Sequence, residues 1–344
     1  MPYRPATPAG GAGPLPSVVV MNPALLVVTG DHLLRLTGGE DRWTGETLLE
    51  GTAAQCVATG AEGTIWLGTR GHGVLASDDA GATWRDAGLP APDVFSVAVS
   101  PADGAVYAGT EPSMIFRRDG HGDGEWIELD ALRRIPSAPR WSYPPRPWTS
   151  HVRWIAPSPH DADLLLAGIE LGGVMRSADG GRSWRDHPPG AVRDVHCLAW
   201  HPEAPGRAYE SGGSGASWSA DAGTTWTAAD DGRDRHYAWA LAVDPRDPDR
   251  WFVSASPGPF KAHGEGSAEA LIYRRTADGP WEPLAGGLPT PLDAMPYAMT
   301  FTGDLLVAGL RDGRLFASPD RGERWEPMSV GGRSPEHVLA LVVT

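Results

Sequence analysis

The sequence predicts an all-β fold, a seven-bladed β-propeller built from four-stranded blades. Three observations lead to this prediction: a Trp-ending motif recurs, the two chain ends together supply one further repeat, and the composition disfavours long helices. Of the 344 residues, 44 are Gly and 33 are Pro, a density that interrupts helices too often for an all-α bundle. The hydrophobic share of 41% is still sufficient for a packed core.

The recurring motif has the pattern Ser-x-Asp-x-Gly-x-x-Trp. Four segments match it, namely SDDAGATW (77–84), SADGGRSW (177–184), SADAGTTW (219–226) and SPDRGERW (318–325). Weaker copies keep the final residue as Trp43, Trp126 and Trp281. Successive motif tryptophans are 41, 42, 58, 42, 55 and 44 residues apart, which indicates a period near 42 interrupted by two insertions, at about 127–150 and 256–268.

The chain ends complete the count of repeats. Residues 326–344 after the last motif and residues 21–43 up to the first Trp together make 42 residues, one whole repeat. A ring closed by pairing the N- and C-terminal segments in one blade leaves no exposed sheet edge. An open solenoid would instead need a capping repeat at each end. We therefore predict a single propeller domain over 21–344, preceded by a disordered leader at 1–20.

Each repeat also shows the pattern of four short strands. In the repeat that ends at Trp84, the segments AAQCVATG, TIWLGT and GVLASDD are rich in strand-forming residues and bounded by Gly and Asp clusters. We predict them as the first three strands, with the fourth around Trp84. In other repeats SPADG, SPHDAD, HPEAPG and DPRDPD predict tight turns between the first two strands. Such small sheets must stack on their neighbours to bury both faces.

The four motifs resemble the Asp-box, or BNR, repeats of the sialidase-like (YVTN/BNR-like) β-propeller superfamily, and the resemblance covers residues 21–344. Members of that superfamily include sialidases, xyloglucanases, sorting receptors and photosystem II assembly factors. The motif aspartates can cap backbone N–H groups of a tight turn, the glycines supply a positive φ, and the tryptophans pack between sheets. Because identical motifs recur around the ring, this structural role is favoured over a catalytic or metal-binding one. The resemblance implies that these turns lie opposite the active site.

Charge and composition exclude several classes of protein. The net charge of −14 argues against a general nucleic-acid binder, which needs clustered cations. No run of 18 apolar residues predicts a membrane span, and residues 1–20 lack the apolar core of a signal peptide. Cys56 and Cys197 are the only cysteines, so we expect reduced thiols and no disulfide framework. We expect a cytoplasmic monomer without a cofactor.

Loops that join a fourth strand to the next first strand, or a second to a third strand, form the functional face of a propeller, and both insertions are of these types. The segment 131–160 contains no acidic residue but has five arginines and four aromatic residues, namely Arg133, Arg134, Arg140, Arg146, Arg153, Trp141, Tyr143, Trp148 and Trp154. Arginine with aromatic rings suits an anionic or sugar-like ligand. The alternative is a Pro-stiffened lid that packs on the acidic rim of the propeller.

Alignment of the predicted inner strands places one residue of each repeat at the mouth of the central channel. These are Gln55, Phe95, Arg153, His196, Trp239, Tyr297 and His337. Neighbouring positions supply Asp93, His151, Asp194, His236 and Glu336, and the second-to-third turns supply Arg70, His72, Glu111, Glu170, Glu210 and Arg311. The aromatic residues also suit simple packing between sheets. The four histidines 151, 196, 236 and 337 leave a metal site open, although no ligand spacing supports one.

Three functions remain open from the sequence. The first is a non-catalytic recognition module that binds a small anionic or glycan-like ligand, or a protein segment, through Arg140, Arg153, His196, Trp239, Tyr297 and His337. The second is a glycoside hydrolase or lyase that uses Glu111, Glu170 or Glu210 as general acid or base. The third is a metal-dependent enzyme at the channel funnel. Arg134-Ile135-Pro136 matches the sialidase Arg-Ile-Pro motif by letters but lies in an insertion after the first full motif, so we interpret the match as accidental.

Overall fold

A computed structural model describes residues 24–39, 42–60, 63–120, 124–143 and 149–344. It consists of seven small β-sheets arranged around a channel, which confirms the predicted seven-bladed β-propeller. The predicted leader at 1–20, together with Arg146 and Trp148, lies outside the described residues. Among the described residues, no helix has the length and hydropathy that a membrane span requires.

The first half of the propeller follows the predicted four-strand repeat. The closing blade, numbered 7, contains β1 (Ala24–Val28), β2 (His32–Gly39) and β3 (Arg42–Glu50). Blade 1 contains β4 (Ala54–Thr59), β5 (Ile65–Thr69), β6 (Val74–Ser77) and β7 (Arg85–Asp86). Blade 2 contains β8 (Val94–Val99), β9 (Val106–Thr110), β10 (Ile115–Arg118) and β11 (Ile127–Glu128). Blade 3 contains β12 (Val152–Pro157), β13 (Leu165–Ile169), β14 (Gly173–Ser177) and a single bridge between Arg176 and Arg185 in place of a fourth strand.

The second half repeats the same plan. Blade 4 contains β15 (Val195–Trp200), β16 (Ala208–Gly212), β17 (Gly215–Ser219) and β18 (Thr227–Ala228). Blade 5 contains β19 (Tyr237–Val243), β20 (Arg250–Ser256), β21 (Leu271–Thr276) and β22 (Glu282–Pro283). Blade 6 contains β23 (Pro296–Thr302), β24 (Leu305–Leu310), β25 (Leu315–Ser318) and β26 (Glu326–Pro327). The last strands, β27 (Val330–Gly332) and β28 (Ala340–Val343), return to blade 7.

Blade 7 closes the ring as predicted. Its strand order is β27-β3-β2-β1-β28, so the C-terminal strand β28 is innermost, the N-terminal strands β1 to β3 follow it outwards, and β27 is outermost. Strand β28 pairs antiparallel with β1, from Leu25 opposite Val343 to Val28 opposite Ala340. Strand β27 adds a fifth, outer strand parallel to β3.

Close contact between neighbouring blades requires glycine in the second strand. A Cβ on Gly109 would lie 2.7 Å from Val152 of the next blade, and a Cβ on Gly309 would lie 2.5 Å from Val338. Gly68 and Gly168 make the same approach to Val94 and Val195. The valine that contacts this glycine therefore occupies the same position on the inner strand of each of these blades.

The four motif turns join the third and fourth strands, and we call the side on which they lie the box-turn face. In the turn at 77–84, the Asp79 carboxylate accepts the backbone N–H of Thr83 at 2.8 Å, and the Ser77 hydroxyl oxygen accepts the N–H of Gly81 at 2.7 Å. The φ of Gly81 is 89°. Asp179, Asp221 and Asp320 make the same contact to the backbone four residues later. The predicted capping role is confirmed.

Both insertions border the opposite side of the disc, which we call the mouth face and which also carries the turns after β5, β9 and β13. The first connects β11 to β12 and contains two short 3-10 helices, Asp130–Arg134 and Ala138–Arg140. The second connects β20 to β21 and contains α1 (Pro259–Ala262). Tyr143 from the first reaches the ring of His151, and His263 from the second reaches the ring of Tyr297.

Candidate functional site

The central channel contains a cavity of about 420 Å³ lined by the inner strands of all seven blades. Its volume lies within the range of small-molecule sites, about 300–1,000 Å³. Six of the seven residues predicted at the mouth line it, namely Gln55, Phe95, Arg153, His196, Trp239 and Tyr297. Each is the second or third residue of its inner strand. The alignment of these six blades is therefore correct.

The seventh position was predicted wrongly, because Leu339 lines the cavity in blade 7 and His337 does not. Val338 packs on Gly309 as Val152 packs on Gly109, so the channel position is the residue after Val338. His337 is exposed, and its Nδ1–H donates to the carbonyl oxygen of Arg311 at 2.8 Å. The first-to-second turn that anchored the other alignments has no counterpart after β28, because the paired strand of blade 7 lies at the other end of the chain.

An arginine and two aromatic rings stack at one side of the mouth. The rings of Trp239 and Tyr297 are stacked with centroids 5.0 Å apart, and the Arg153 guanidinium carbon lies 4.7 Å from the centroid of Trp239. The His196 ring is 4.3 Å from Trp239. Among the described residues, Arg153 has no hydrogen-bond partner. The strands thus hold a cation over an aromatic platform with its donors uncommitted.

A second group at the mouth, next to Arg153, is organised around His151, which lies just before β12. Its ring stacks on Phe95 with centroids 4.0 Å apart. Its Nε2–H donates to a Glu170 carboxylate oxygen at 2.7 Å, and its Nδ1 lies 3.4 Å from Glu111. Burial alone would raise the pKa of Glu170, but the His151 hydrogen bond and the Arg153 charge outweigh it and lower the pKa to about 2. Glu170 is therefore ionised at neutral pH.

His263 of the second insertion contacts this site and was missed by the sequence analysis. Its Nε2 lies 2.8 Å from the Tyr237 hydroxyl and its Nδ1 lies 2.6 Å from the Tyr297 hydroxyl, so one ring nitrogen donates and the other accepts. Arg311 donates to the carbonyl oxygen of His263 at 2.6 Å. Burial is the largest cause that lowers the pKa of His263 to about 4, which keeps the ring neutral at pH 7. The only available signal was a single histidine inside an insertion.

Glu210 was predicted on a mouth turn, and that prediction is wrong. Strand β16 continues to Gly212, so Glu210 lies within the strand and is fully buried. One carboxyl oxygen accepts the N–H of Val192 at 2.6 Å, and the other has no partner among the described residues. Burial raises the pKa of Glu210 to about 8, so the carboxyl is mainly protonated at pH 7.

The remaining predicted residues separate into mouth and surface positions. Glu111 and Glu170 follow β9 and β13, as expected of second-to-third turns. Arg140 and His236 are exposed, and Arg140 does not line the cavity. Of the four histidines considered for a metal, only His151 and His196 are buried. Among the described residues, Glu170, Asp194 and His196 are the group whose side chains could hold a metal ion, with ligand atoms within 4.8 Å of one another.

The chemistry available at the mouth is limited by these protonation states. A glycosidase needs one protonated and one ionised carboxyl on either side of the scissile bond. Glu170 is ionised and Glu210 protonated, but Glu210 is buried within blade 4 and does not line the channel cavity. Burial also raises the pKa of the channel thiols Cys56 and Cys197 to about 12, which disfavours the nucleophilic thiolate.

Comparisons with known proteins place the chain among β-propellers. No protein-family model matches it, and no curated protein matches it. It is similar to the GH74 xyloglucanase from Xanthomonas campestris, with a TM-score of 0.62 and 18% identity over 80% of this chain and 45% of the enzyme. It is also similar to an ancestral GH74 enzyme, with a TM-score of 0.60 and 17% identity over 88% of this chain and 40% of the enzyme.

A second kind of neighbour is a protein bound to a peptide. The structure of YCF48 bound to D1 peptide is similar with a TM-score of 0.57 and 17% identity, over 92% of this chain and 87% of YCF48. The chain thus spans less than half the length of the two GH74 enzymes but most of the length of YCF48. At these identities the likeness shows a shared β-propeller fold, found both in glycoside hydrolases and in a peptide-bound protein.

Proposed function

We propose that this protein is a non-catalytic recognition module that binds the anionic group of a ligand at the channel mouth, with Arg153 as the receptor. The single observation that carries the proposal is the Arg153 guanidinium, which lies over Trp239 and has no hydrogen-bond partner among the described residues. The Arg153 side chain is only 16% exposed, and its Nε is fully buried without a hydrogen-bond partner among the described residues.

A buried donor without a partner carries a desolvation cost of about 1–3 kcal/mol, and more when it is charged. The neighbouring Glu170 carboxylate lies 3.9 Å from the Arg153 Nε, which gives charge compensation but is too long for a hydrogen bond. A ligand carboxylate or phosphate would supply both charge and acceptors, because guanidinium presents a planar fork that matches two oxygens. Arg153 is thus prepared for an anion before the ligand arrives.

The stacked rings beside Arg153 suit the body of such a ligand. Trp239 and Tyr297 are partly buried and stacked on each other, so their accessible parts form an apolar patch next to the guanidinium. A sugar acid would pack its ring against this patch, and a protein segment bound through its C-terminal carboxylate would pack its last side chain there. The peptide-bound structure of YCF48 supports the second source only through the shared fold.

The hydrolase alternative lacks an equivalent support. It requires a protonated carboxyl in the same cleft as the ionised Glu170, and the protonated Glu210 is enclosed in blade 4. The similarity to GH74 enzymes covers less than half of those chains.

The test is binding to the full chain by isothermal titration calorimetry. The panel contains glucuronate, N-acetylneuraminate, inorganic phosphate, and a pentapeptide with either a free or an amidated C-terminus. We expect one anion class to bind, and Arg153→Ala to weaken it roughly tenfold or more, since hydrogen bonds to charged groups contribute about 1.5–3 kcal/mol. Arg182→Ala, at an exposed arginine of the box-turn face, is the matched control and should bind as the unmodified protein does.

The comparison of peptide and sugar acids identifies the source of the anion. Binding of the free-acid peptide but not the amidated one indicates a protein terminus, whereas binding of glucuronate alone indicates a small ligand. The proposal fails if no member of the panel binds, or if Arg153→Ala leaves the affinity unchanged.

A further inference from the structure

A second feature of the mouth face is a group of three side chains from neighbouring segments. Glu170 lies on the turn after β13, Asp194 immediately precedes β15, and His196 lies within β15. The Nε2 atom of His196 is 3.6 Å from the Asp194 carboxylate, and the ligand atoms of all three residues lie within 4.8 Å of one another. Two ligands held about 2.0–2.2 Å from one ion are about 3–4 Å apart, so small side-chain adjustments would bring all three onto one ion.

The hydrogen bond at the far side of His196 decides which nitrogen carries its proton. Nδ1 lies 2.6 Å from the carbonyl oxygen of Ala238. A carbonyl oxygen can only accept, so Nδ1 donates and a neutral ring has its lone pair on Nε2. The His196 side chain has no exposed surface, and Nε2 has no hydrogen-bond partner among the described residues. In the neutral ring this buried lone pair faces a carboxylate, an arrangement that becomes favourable only with a cation between the two atoms.

The surroundings of Glu170 resemble the outer shell of a metal centre. His151 donates its Nε2–H to Glu170 at 2.7 Å and so orients the carboxylate while leaving its other oxygen available. The backbone carbonyl of Ala238 plays the same orienting role for His196. Glu111 adds a further negative charge near His151, and Arg153 opposes a metal with a positive charge 3.9 Å from Glu170. Two ligand carboxylates still balance a divalent ion.

We propose that Glu170, Asp194 and His196 bind a divalent first-row transition metal ion such as Zn²⁺ or Mn²⁺. An imidazole with two carboxylates is a mixed nitrogen and oxygen set, which suits these ions better than Mg²⁺ or Ca²⁺, whose preferred ligands are all oxygen. Three protein ligands leave coordination positions open, as in metal sites that bind water or a further ligand. His196 lines the channel cavity and the other two ligands do not, so the metal would lie beside the cavity.

This inference does not rest on the anion-binding function. Arg153→Ala removes the anion receptor but none of the three metal ligands, and it also removes the opposing positive charge. Metal binding should therefore be retained or strengthened in that variant, so that failure of one proposal is distinguishable from failure of the other.

The test uses the full chain, freed of metal with a chelator and gel-filtered. Titration with Co²⁺ alone should give a single binding event per chain, with visible absorption bands that report nitrogen and oxygen ligands, and Zn²⁺ should displace the Co²⁺. Mg²⁺ and Ca²⁺ should bind far more weakly. Asp194→Asn, which keeps the shape of the side chain, and His196→Ala should each weaken Co²⁺ binding about tenfold or more. His236→Ala and His337→Ala, which remove exposed histidines, are the controls.

Circular dichroism at each variant's working temperature separates unfolding from loss of a ligand, and the Asp194→Asn variant keeps the test valid if His196→Ala does not fold. The proposal is overturned if the unmodified protein binds no Co²⁺ or Zn²⁺ at millimolar concentration. It is equally overturned if binding survives Asp194→Asn and His196→Ala but disappears with the surface histidines. Nitrogen-15 NMR at pH 7 of the metal-free and the Zn²⁺-treated protein gives a further check. If His196 is an imidazolium in both samples, a proton and not a metal ion occupies its Nε2, and the proposal is overturned.

Discussion

The two faces of the disc differ in how far apart in the sequence their interacting residues lie. On the box-turn face, polar side chains bond within a few residues: Asp179 accepts the N–H of Ser183, and Ser177 accepts the N–H of Gly181. On the mouth face, partners come from distant positions, as when Arg153 lies over Trp239. The motif turns are held by local hydrogen bonds that recur in four blades, whereas the mouth combines residues that occur once. We therefore expect specific binding on the face that breaks the repeat.

The largest expected effect concerns the motif tryptophans. Trp325 is 2% exposed, and its indole N–H donates to the carbonyl oxygen of Gly322 at 3.2 Å. Trp325→Ala should lower the free energy of unfolding by about 3–5 kcal/mol, because it leaves a large cavity. Urea denaturation measures this. Trp154→Ala, at a channel-lining residue that is 36% exposed, should lower it by less than half as much. Equal losses would show that stability is not concentrated on the box-turn face.

The next largest effect on stability concerns Glu210, an interior residue that the sequence pattern placed on a turn of the mouth face. Its pKa is raised to about 8 in the folded protein, so the folded state holds a proton that the unfolded state loses near the ordinary value of 4.5. This favourable contribution is complete below pH 4.5 and is lost as the pH rises towards 8. Relative to Glu210→Gln, stability should fall by up to about 1.4 kcal/mol per pH unit across that window.

Urea denaturation of both proteins at several pH values measures the Glu210 effect, because groups common to both cancel in the difference. Glu203→Gln, at an exposed glutamate of the same blade, is the control and should show no such trend. A difference between the unmodified protein and Glu210→Gln that does not change between pH 5 and 8 would contradict the assignment of Glu210 as a protonated interior carboxyl.

The smallest effect is expected within a single motif turn. Ser177→Ala removes the buried hydroxyl that accepts the N–H of Gly181 at 2.8 Å and donates to Asp179 at 2.9 Å. We expect a loss of about 1 kcal/mol, the usual net value for a hydrogen bond, measured by thermal or urea denaturation. Ser334→Ala, at an exposed serine, should change stability by less than about 0.5 kcal/mol. If the two losses are equal, local capping does not stabilise the box-turn face.

The parts of the structure that depend on local pattern could be predicted from the sequence. The motif turns were predictable because each bond spans four residues: the N–H of Gly181 donates to Ser177, and the N–H of Ser183 donates to Asp179. The blade number and the closure followed from the period, since a ring needs whole repeats. Six mouth positions followed from aligning inner strands, each of which precedes its own first-to-second turn.

The failures share a physical cause, which is that the decisive partner is remote. His337 was misplaced because β28 pairs with β1, whose Leu25 lies opposite Val343, and no turn marks the register. Glu210 was placed on a turn because nothing nearby shows that β16 runs on to Gly212. His263 bonds to Tyr237 and Tyr297, 26 and 34 residues away, and spacing alone does not orient the loop that carries it.

The assembly of blade 7 affects how the chain folds during translation. Strand β28 is translated last of the described strands, yet it pairs with β1, the first of them. Just after β28 the Thr344 hydroxyl donates to the carbonyl oxygen of Ala24, 320 residues away. Six blades can stack as they emerge, while the inner edge of β1 stays without its neighbour. Any pause before β28 is made prolongs that exposure, and with it the interval in which a foreign strand can pair with β1.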